Sequence, residues 1–220
     1  MIKACLFDLD GTLLDTLTTI SYYGNLALER FGFSPIEKEK YKYLIGNGAK
    51  ILIDRMLKSI DAYSEEMSKK VYDFYNESYN SDTLRYTKPY DGIVDMLCDI
   101  KKRKILSGII SNKPDFATRS VVKEIFDKSL IDSVRGQVDG VPIKPAVDGP
   151  MFVLNEMKVL PSETIYIGDS GVDMQTGKNI GAFTIGVSWG FREEKELIEN
   201  GADLIVKNPH EIIEYIDSTI

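Results

Sequence analysis

Two aspartates directly follow an apolar run near the start of the chain. They are Asp8 and Asp10 in "LFDLDGTLLDT", residues 6–16. Because two carboxylates so close together at a strand end repel each other, their placement indicates a cation or a reaction that uses both. The alternative interpretation is a polar turn, since Asp and Gly favour turns without any function.

Polar residues also follow two other apolar runs. Ser111 and Asn112 come at the end of "ILSGIIS", and Asp169 and Asp173 come after "TIYI". Each group has a plain alternative, because Ser and Asn cap helices and Asp complements a helix dipole. Lys144 precedes a predicted helix in a loop, where a lysine is usually solvated.

Taken together, these segments carry clustered oxygen ligands, one lysine and one hydroxyl. Oxygen ligands without histidine or cysteine suit Mg²⁺, which commonly binds a few carboxylates plus the phosphate oxygens of a substrate. A hydroxyl and backbone amides at a helix start can also hold a phosphate oxygen. If the fold brings the segments together, the set is typical of phosphoryl transfer.

Short apolar runs alternate with amphipathic helical stretches over most of the chain. Several of these runs are too continuously apolar to have a solvated face, which is typical of a parallel sheet covered on both sides. The alternation predicts a doubly wound α/β domain, in which ligands bind at the carboxyl ends of the strands. The predicted strands are "IKACLF", "ILSGIIS", "TIYIG", "FTIGVS" and "LIV".

Residues 15–88 break this alternation, because helical signals repeat there and no run resembles a buried strand. The stretch Ser34–Glu37 has the pattern of a capping box with proline in the first turn, and it predicts a helix start. We therefore predict an α/β core of residues 1–14 and 89–220. The helical insert of residues 15–88 leaves from the ligand-binding edge of the sheet, and we expect it to roof the site.

In this order and spacing, the four polar segments resemble the motifs of the haloacid dehalogenase superfamily of aspartate-nucleophile phosphotransferases. The resemblance covers the whole predicted core. The helical insert is similar to the cap that this superfamily places between its first and second motifs. The resemblance implies a Rossmann-like core with an all-helical cap domain.

The resemblance also implies a catalytic role for four residues. Asp8 would be the nucleophile that forms an aspartyl-phosphate, and Asp10 would act first as general acid and then as general base. Ser111 and Lys144 would bind the transferring phosphoryl group. Lys144 and a cation would offset the repulsion between a carboxylate and a phosphate.

Two further sets of residues follow from the same resemblance. The Mg²⁺ ligands would be Asp8, Asp10 through its backbone carbonyl, Asp169 and Asp173. The substrate contacts would be Gly11, Thr12 and Asn112.

Residues 166–192 are similar to the fourth-motif region of phosphoglycolate phosphatase-like members, and "KPYDGI" and "LIGNGAKILI" also resemble that branch. We expect a Mg²⁺-dependent phosphomonoester hydrolase that acts on a small metabolite. A β-phosphoglucomutase-like phosphomutase and a pyrophosphatase of the same fold remain alternatives. A noncatalytic binding protein is the alternative of a different class. The sequence departs from the branch pattern at Val147, where proline is common.

The net charge of −7 argues against nonspecific binding to nucleic acid or to an anionic membrane surface, which requires clustered basic residues. No apolar run approaches the roughly 20 residues of a membrane span, and the first residues pass directly into a strand pattern. We expect a cytoplasmic protein whose partner is a small phosphate ester. Monomer and homodimer both stay open.

Overall fold

The computed structural model describes residues 1–219 and divides into two compact units. Unit 1 comprises Met1–Asp15 and the described residues from Pro89 onward, and unit 2 comprises Thr16–Lys88. The first boundary lies one residue later than the predicted one. Within residues 1–219, no helix combines the length and the apolar character that a membrane crossing requires.

The strands of residues 1–219 are β1 (Ala4–Phe7), β2 (Leu14–Asp15), β3 (Lys88–Pro89), β4 (Leu106–Pro114), β5 (Ser133–Gln137), β6 (Thr164–Gly168), β7 (Phe183–Val187) and β8 (Leu204–Val206). In this part of the chain, six of them form a parallel sheet in the order β5-β4-β1-β6-β7-β8. Because β1 lies between β4 and β6, the chain builds one side of the sheet first and the other side afterwards. This doubly wound α/β arrangement confirms the predicted fold class.

The helices of the described residues fall into two groups. Unit 2 contains α1 (Leu17–Arg30), α2 (Tyr41–Leu44), α3 (Ala49–Ser59) and α4 (Glu65–Ser81). Unit 1 contains α5 (Ile93–Lys102), α6 (Asp115–Ile125), α7 (Asp148–Met157), α8 (Gly171–Ile180), α9 (Glu194–Glu199) and α10 (Pro209–Ser218).

Both faces of the sheet are buried under helices. Along β1, Cys5 and Phe7 pack into a cluster with α5, α6 and α10, whereas Ala4 and Leu6 pack into a second cluster with α7 and α8. Successive strand residues point to opposite faces, so a strand covered on both sides has to be apolar throughout. The four residues of β1 are accordingly all buried.

Strand β5 and helix α9 of unit 1 were not predicted. Strand β5 reads "SVRGQ" and lies at the edge of the sheet, where only part of it is buried. Helix α9 has six residues and buries only Leu197 among them. Both are too short or too polar to produce the apolar period on which the prediction rested.

The predicted helix start at Ser34–Glu37 is wrong. The chain remains non-helical through these residues, and a 3₁₀ turn at Lys38–Lys40 precedes α2. The amide of Ile36 donates to Asn25 Oδ1 at 2.8 Å, and Asn25 Nδ2 donates to the Ile36 carbonyl at 2.9 Å. A side chain of α1 therefore binds the amide and the carbonyl of Ile36, and this carbonyl is one that a helix starting here would have used.

Tyrosines pack the helices of unit 2 together. Tyr23 of α1 lies edge-on to Tyr79 of α4, with ring centroids 5.7 Å apart, and Tyr75 stacks on Tyr79 at 5.5 Å. Lys50 of α3 donates to Ser68 of α4 at 2.5 Å. These contacts make unit 2 a helical bundle with its own core.

The close packing of α8 on the sheet gives a stability prediction. A Cβ at Gly177 would lie 2.9 Å from Cβ of Tyr166 and would overlap the methyl group of Thr184. We therefore expect Gly177→Ala to lower the free energy of unfolding by about 1–3 kcal/mol, because overpacking outweighs the better helix propensity of alanine. Chemical denaturation measures this change.

Gly149→Ala is the matched control, because it is also a helical glycine. Apart from its two chain neighbours, its added Cβ would meet only a methyl group of Ile110, at 3.7 Å, which is an ordinary contact. Because Pro150 follows and its ring crowds a Cβ on the preceding helical residue, we expect this variant to lose some stability, but clearly less than Gly177→Ala. Equal destabilisation by both substitutions would contradict the packing argument.

Candidate active site

Three neighbouring strands of unit 1 end at the same edge of the sheet. Asp8 follows β1, Asp169 follows β6, and Ser111 lies near the end of β4. The last residue of β1 is in register with Ile109 of β4 and Ile167 of β6. The residues that come next on the three strands therefore lie close to one another.

Three buried carboxylates form a cluster at this edge. One oxygen from each of Asp8, Asp169 and Asp173 lies within 4.8 Å of the others, and none of the three residues is more than 7% exposed. All three donors are carboxylate oxygens, which hard divalent cations prefer. Because like charges held this close repel each other, a divalent cation bound by them would stabilise the arrangement, and the residues fit such a group.

The ammonium of Lys144 lies among these carboxylates. Its Nζ donates to Asp8 at 2.6 Å, to Asp173 at 2.7 Å and to the carbonyl of Ile110 at 3.3 Å. Asn112 holds the lysine's backbone, because its side chain accepts from the Lys144 amide at 2.9 Å and donates to the Lys144 carbonyl at 3.2 Å. The predicted loop lysine is thus a buried cation between two counter-charges.

Burial controls the protonation of this cluster. It raises the pKa of Asp8 well above its ordinary value, with Lys144 acting against the shift and the neighbouring carboxylates adding to it. It also raises the pKa of Asp169 to about 7, with a contribution from Asp173. Burial alone would lower the pKa of Lys144, but Asp173 and Asp8 raise it well above its ordinary value. Lys144 is therefore charged at neutral pH.

A segment after β7 holds Asp169 in place. The amide of Phe191 donates to Asp169 Oδ2 at 2.7 Å, and the Thr12 hydroxyl donates to Oδ1 at 3.2 Å. The indole of Trp189 donates to the Thr12 carbonyl at 3.0 Å. Sequence reasoning included this segment only in the resemblance of residues 166–192 and did not predict its contact with Asp169, because a main-chain donor leaves no residue-type signal. Its position after a strand at the same edge is the one available clue.

Two glycines allow the chain to approach Asp169. A Cβ at Gly11 would collide with the Asp169 carboxylate, and Gly11 has φ +93°. A Cβ at Gly190 would also overlap Asp169 and would lie 2.5 Å from the carbonyl oxygen of Gly11. The glycine after Asp10 is therefore required by close packing as well as by backbone conformation.

Asp173 is oriented from the start of α8. Its Oδ2 accepts from the amide of Ser170 at 3.1 Å and from the Ser170 hydroxyl at 2.6 Å. Its Oδ1 accepts from Lys144. The two sequence interpretations of this aspartate, helix start and site residue, are thus compatible.

The carboxylate of Asp10 is not part of the three-carboxylate cluster. Both of its oxygens accept from the Lys113 ammonium, at 2.6 and 2.9 Å. This is compatible with the predicted metal contact of Asp10, which uses its backbone carbonyl. Sequence reasoning gave no role to Lys113, since the pairing joins segments about a hundred residues apart.

Ser111 does not cap a helix. Strand β4 continues to Pro114, and α6 begins at Asp115. The predicted helix that follows from Pro114 is therefore confirmed, whereas the alternative interpretation of Ser111 as a helix cap is wrong. The buried Ser111 hydroxyl accepts from the amide of Lys113 at 3.2 Å. An irregular register between Ile110 and Pro114 accompanies this stretch of the strand.

The predicted substrate contacts of Gly11, Thr12 and Asn112 remain predictions. The Gly11 amide donates to the Leu14 carbonyl at 2.9 Å. The Thr12 hydroxyl donates to Asp169, and the Asn112 side chain holds the backbone of Lys144. Each of the three thus supports a residue of the cluster or the turn that leads from it.

Comparison with known proteins finds a hydrolase family and relatives that are named as phosphatases. The model of the haloacid dehalogenase-like hydrolase family matches residues 5–187 of the chain. N-acetylmuramic acid 6-phosphate phosphatase of Pseudomonas aeruginosa is 26% identical over 222 residues, which cover 100% of this chain and 96% of that protein. Phosphoglycolate phosphatase 1 of the same organism is 28% identical over 221 residues, which cover 98% and 80%.

A solved structure from Lactobacillus delbrueckii subsp. bulgaricus, provisionally named phosphoglycolate phosphatase, shares the fold. It matches with a TM-score of 0.91 at 29% sequence identity. The match covers 97% of this chain and 98% of that chain. The likeness thus extends over nearly the whole chain.

The raised pKa of Asp169 gives a prediction for the metal-free protein. Because its pKa is about 7 when folded and about 3.9 when unfolded, its ionisation removes stability as the pH rises from about 4 to about 7. We expect Asp169→Asn to raise the free energy of unfolding at pH 8 by about 2–4 kcal/mol, and to change it little near pH 4. A divalent cation should raise the melting temperature of the wild type but not that of the variant.

Asp203→Asn is the control of opposite sign. Burial acts against its ionisation, but Lys178 and Thr184 hold the pKa of Asp203 below its ordinary value. This substitution should lower stability at pH 8. A pH-independent effect of Asp169→Asn, or equal stabilisation by both variants, would contradict the prediction.

Proposed function

Because this chain belongs to the haloacid dehalogenase-like hydrolase family, we propose that it is a phosphatase that hydrolyses a phosphomonoester of a small metabolite. The observation that carries this proposal is the buried Lys144 ammonium between Asp8 and Asp173, 2.6 and 2.7 Å away, beside a third carboxylate. Such a site can accept a dianionic phosphoryl group only if cations offset the repulsion from its aspartates.

The relatives narrow the class of substrate. One is named for phosphoglycolate and the other for N-acetylmuramic acid 6-phosphate. In both compounds the alcohol that carries the phosphate also carries a carboxylate. We propose that the substrate of this chain is a phosphate ester of a hydroxy acid, and phosphoglycolate is the first candidate.

Asp8 is the proposed nucleophile. Its carboxylate stands at the end of β1, and Lys144 donates to its Oδ1. An oxygen of Asp8 attacks phosphorus while the bond between phosphorus and the ester oxygen breaks, which leaves an aspartyl-phosphate and an alkoxide. This covalent intermediate divides one difficult hydrolysis into two displacements.

Asp10 is the proposed proton carrier. It gives a proton to the departing ester oxygen and then takes a proton from the water that attacks the aspartyl-phosphate. The second displacement releases inorganic phosphate and restores Asp8. Its position two residues after Asp8 lets one strand end supply both groups, and its pairing with Lys113 keeps its carboxylate out of the acidic cluster.

Lys144 and Ser111 are the proposed phosphoryl-binding residues. The Lys144 ammonium is charged and little exposed, so its attraction for the phosphoryl oxygens is weakly screened. Ser111 lies on the neighbouring strand with its hydroxyl buried at the same edge. Together they would hold the phosphoryl group in line with Asp8.

Mg²⁺ is the proposed cofactor. Asp8, Asp169, Asp173 and the backbone carbonyl of Asp10 would hold it, and the three carboxylates are hard oxygen donors. When bound, it would neutralise charge on the phosphoryl oxygens and on the cluster.

We also propose a cytoplasmic location, which agrees with the absence of a membrane-spanning helix in residues 1–219.

The test is the release of inorganic phosphate from a panel of compounds. The panel contains phosphoglycolate, N-acetylmuramic acid 6-phosphate, a sugar phosphate without a carboxylate, pyrophosphate and a nucleotide. We expect release from the hydroxy-acid esters in Mg²⁺, none with a chelator, and a loss of about a thousandfold or more in Asp8→Asn, because the nucleophile is missing.

Asp139→Asn is the matched control for this measurement, because Asp139 is an exposed aspartate of unit 1 and should leave the rate unchanged. Full activity of Asp8→Asn would contradict the proposed nucleophile. Conversion of a phosphosugar into its isomer without phosphate release would favour the phosphomutase, and preference for pyrophosphate would favour the pyrophosphatase.

A further inference from the structure

The pair of Lys113 and Asp10 is not explained by phosphoryl binding or by the cation site. The Lys113 ammonium donates to both Asp10 oxygens, at 2.6 and 2.9 Å. The two side chains are only 6% and 13% exposed. A pair with so little solvent contact is weak evidence for stability, because desolvation of both charges opposes their attraction. Its function therefore has to be sought in its effect on Asp10.

The backbone of Lys113 is fixed on both sides. Its amide donates to the Ser111 hydroxyl at 3.2 Å, and its carbonyl accepts from the Thr118 hydroxyl at 3.1 Å. The neighbouring strand runs so close that a Cβ at Gly136 would lie 2.7 Å from the Lys113 carbonyl oxygen. The ammonium is thus presented from a rigid part of β4, as a positioning group requires.

Two buried lysines divide the aspartates of the site between them. Lys144 binds Asp8 and Asp173, which belong to the proposed cation site. Lys113 binds Asp10, whose carboxylate does not belong to it. This division keeps the proton carrier away from the cation and in one orientation.

We propose that Lys113 is a positioning residue for Asp10. It holds the Asp10 carboxyl group where that group reaches the departing ester oxygen in the first displacement and the attacking water in the second. The inference rests on the proposed function. A correctly placed acid or base contributes about 10²–10⁴ in rate, and a displacement of about 1 Å is enough to lose a factor of about 10².

A direct contact between Lys113 and the substrate phosphate is the competing explanation. The two explanations can be separated, because a residue that acts only through Asp10 has little effect on the rate once the Asp10 carboxyl group is removed. The test is a double-mutant cycle, which compares the rates of the wild type, Lys113→Met, Asp10→Asn and the double variant. The substrates are the alkyl phosphomonoester that the wild type prefers and para-nitrophenyl phosphate, whose leaving group needs little protonation.

We expect Lys113→Met to lower kcat for the alkyl ester by about 100-fold and to change KM less than about threefold. In the Asp10→Asn background the same substitution should lower kcat by less than about threefold. With para-nitrophenyl phosphate, the rate of the first burst of nitrophenolate release by Lys113→Met should stay within about fivefold of the wild-type rate. Lys113→Arg should keep more than about a tenth of the activity, since arginine can also donate twice to one carboxylate.

Multiplicative losses in the double variant, or a rise in KM as large as the fall in kcat, would overturn the proposal and assign Lys113 to the phosphate. If Lys113→Met does not fold, the comparison of Asp10→Asn with the double variant decides alone, because the double variant removes both charges of the pair and leaves neither of them buried without the other. A wild type that releases no phosphate from any ester would mean instead that the proposed function fails.

Discussion

The structure depends on keeping three carboxylates together in a place from which water is largely excluded. Oxygens of Asp8, Asp169 and Asp173 lie within 4.8 Å of one another, a distance at which two full charges repel by roughly 3 kcal/mol at an effective dielectric constant near 20. Lys144 offsets part of this repulsion, and burial raises the pKa of Asp8 and of Asp169. The cluster is therefore an arrangement that favours a bound cation over an empty, fully ionised state.

Much of unit 1 can be understood as support for that cluster. The parallel sheet brings the ends of β4, β1 and β6 side by side, so residues far apart in the chain become neighbours. Gly11 and Gly190 leave room for the Asp169 carboxylate, and the amide of Phe191 donates to it. The apolar faces of the sheet hold these strand ends rigidly, which a site made of repelling charges requires.

The sequence revealed the parts of this site that follow local rules. Asp8 and Asp169 could be identified because each follows a continuously buried run, and parallel strands of one sheet end at one edge. Lys144 had no such signal, and only its position before a predicted helix, and then its resemblance to a family motif, singled it out. The role of Lys113 and the contact of the segment after β7 with Asp169 were missed, because both depend on distances between remote segments. Strand β5 was missed for another reason, since a half-exposed edge strand lacks the apolar run of a central one.

The most direct measurement is to trap the phosphoryl group on the protein. Asp10→Asn enzyme, in which the second displacement is slow, is mixed with para-nitrophenyl phosphate carrying a radiolabelled phosphoryl group and quenched in acid during the first turnover. The account predicts labelled protein, a label that hydroxylamine removes, and a single labelled peptide that contains Asp8. Nitrophenolate release without labelled protein, or a label on a peptide that lacks Asp8, would contradict it.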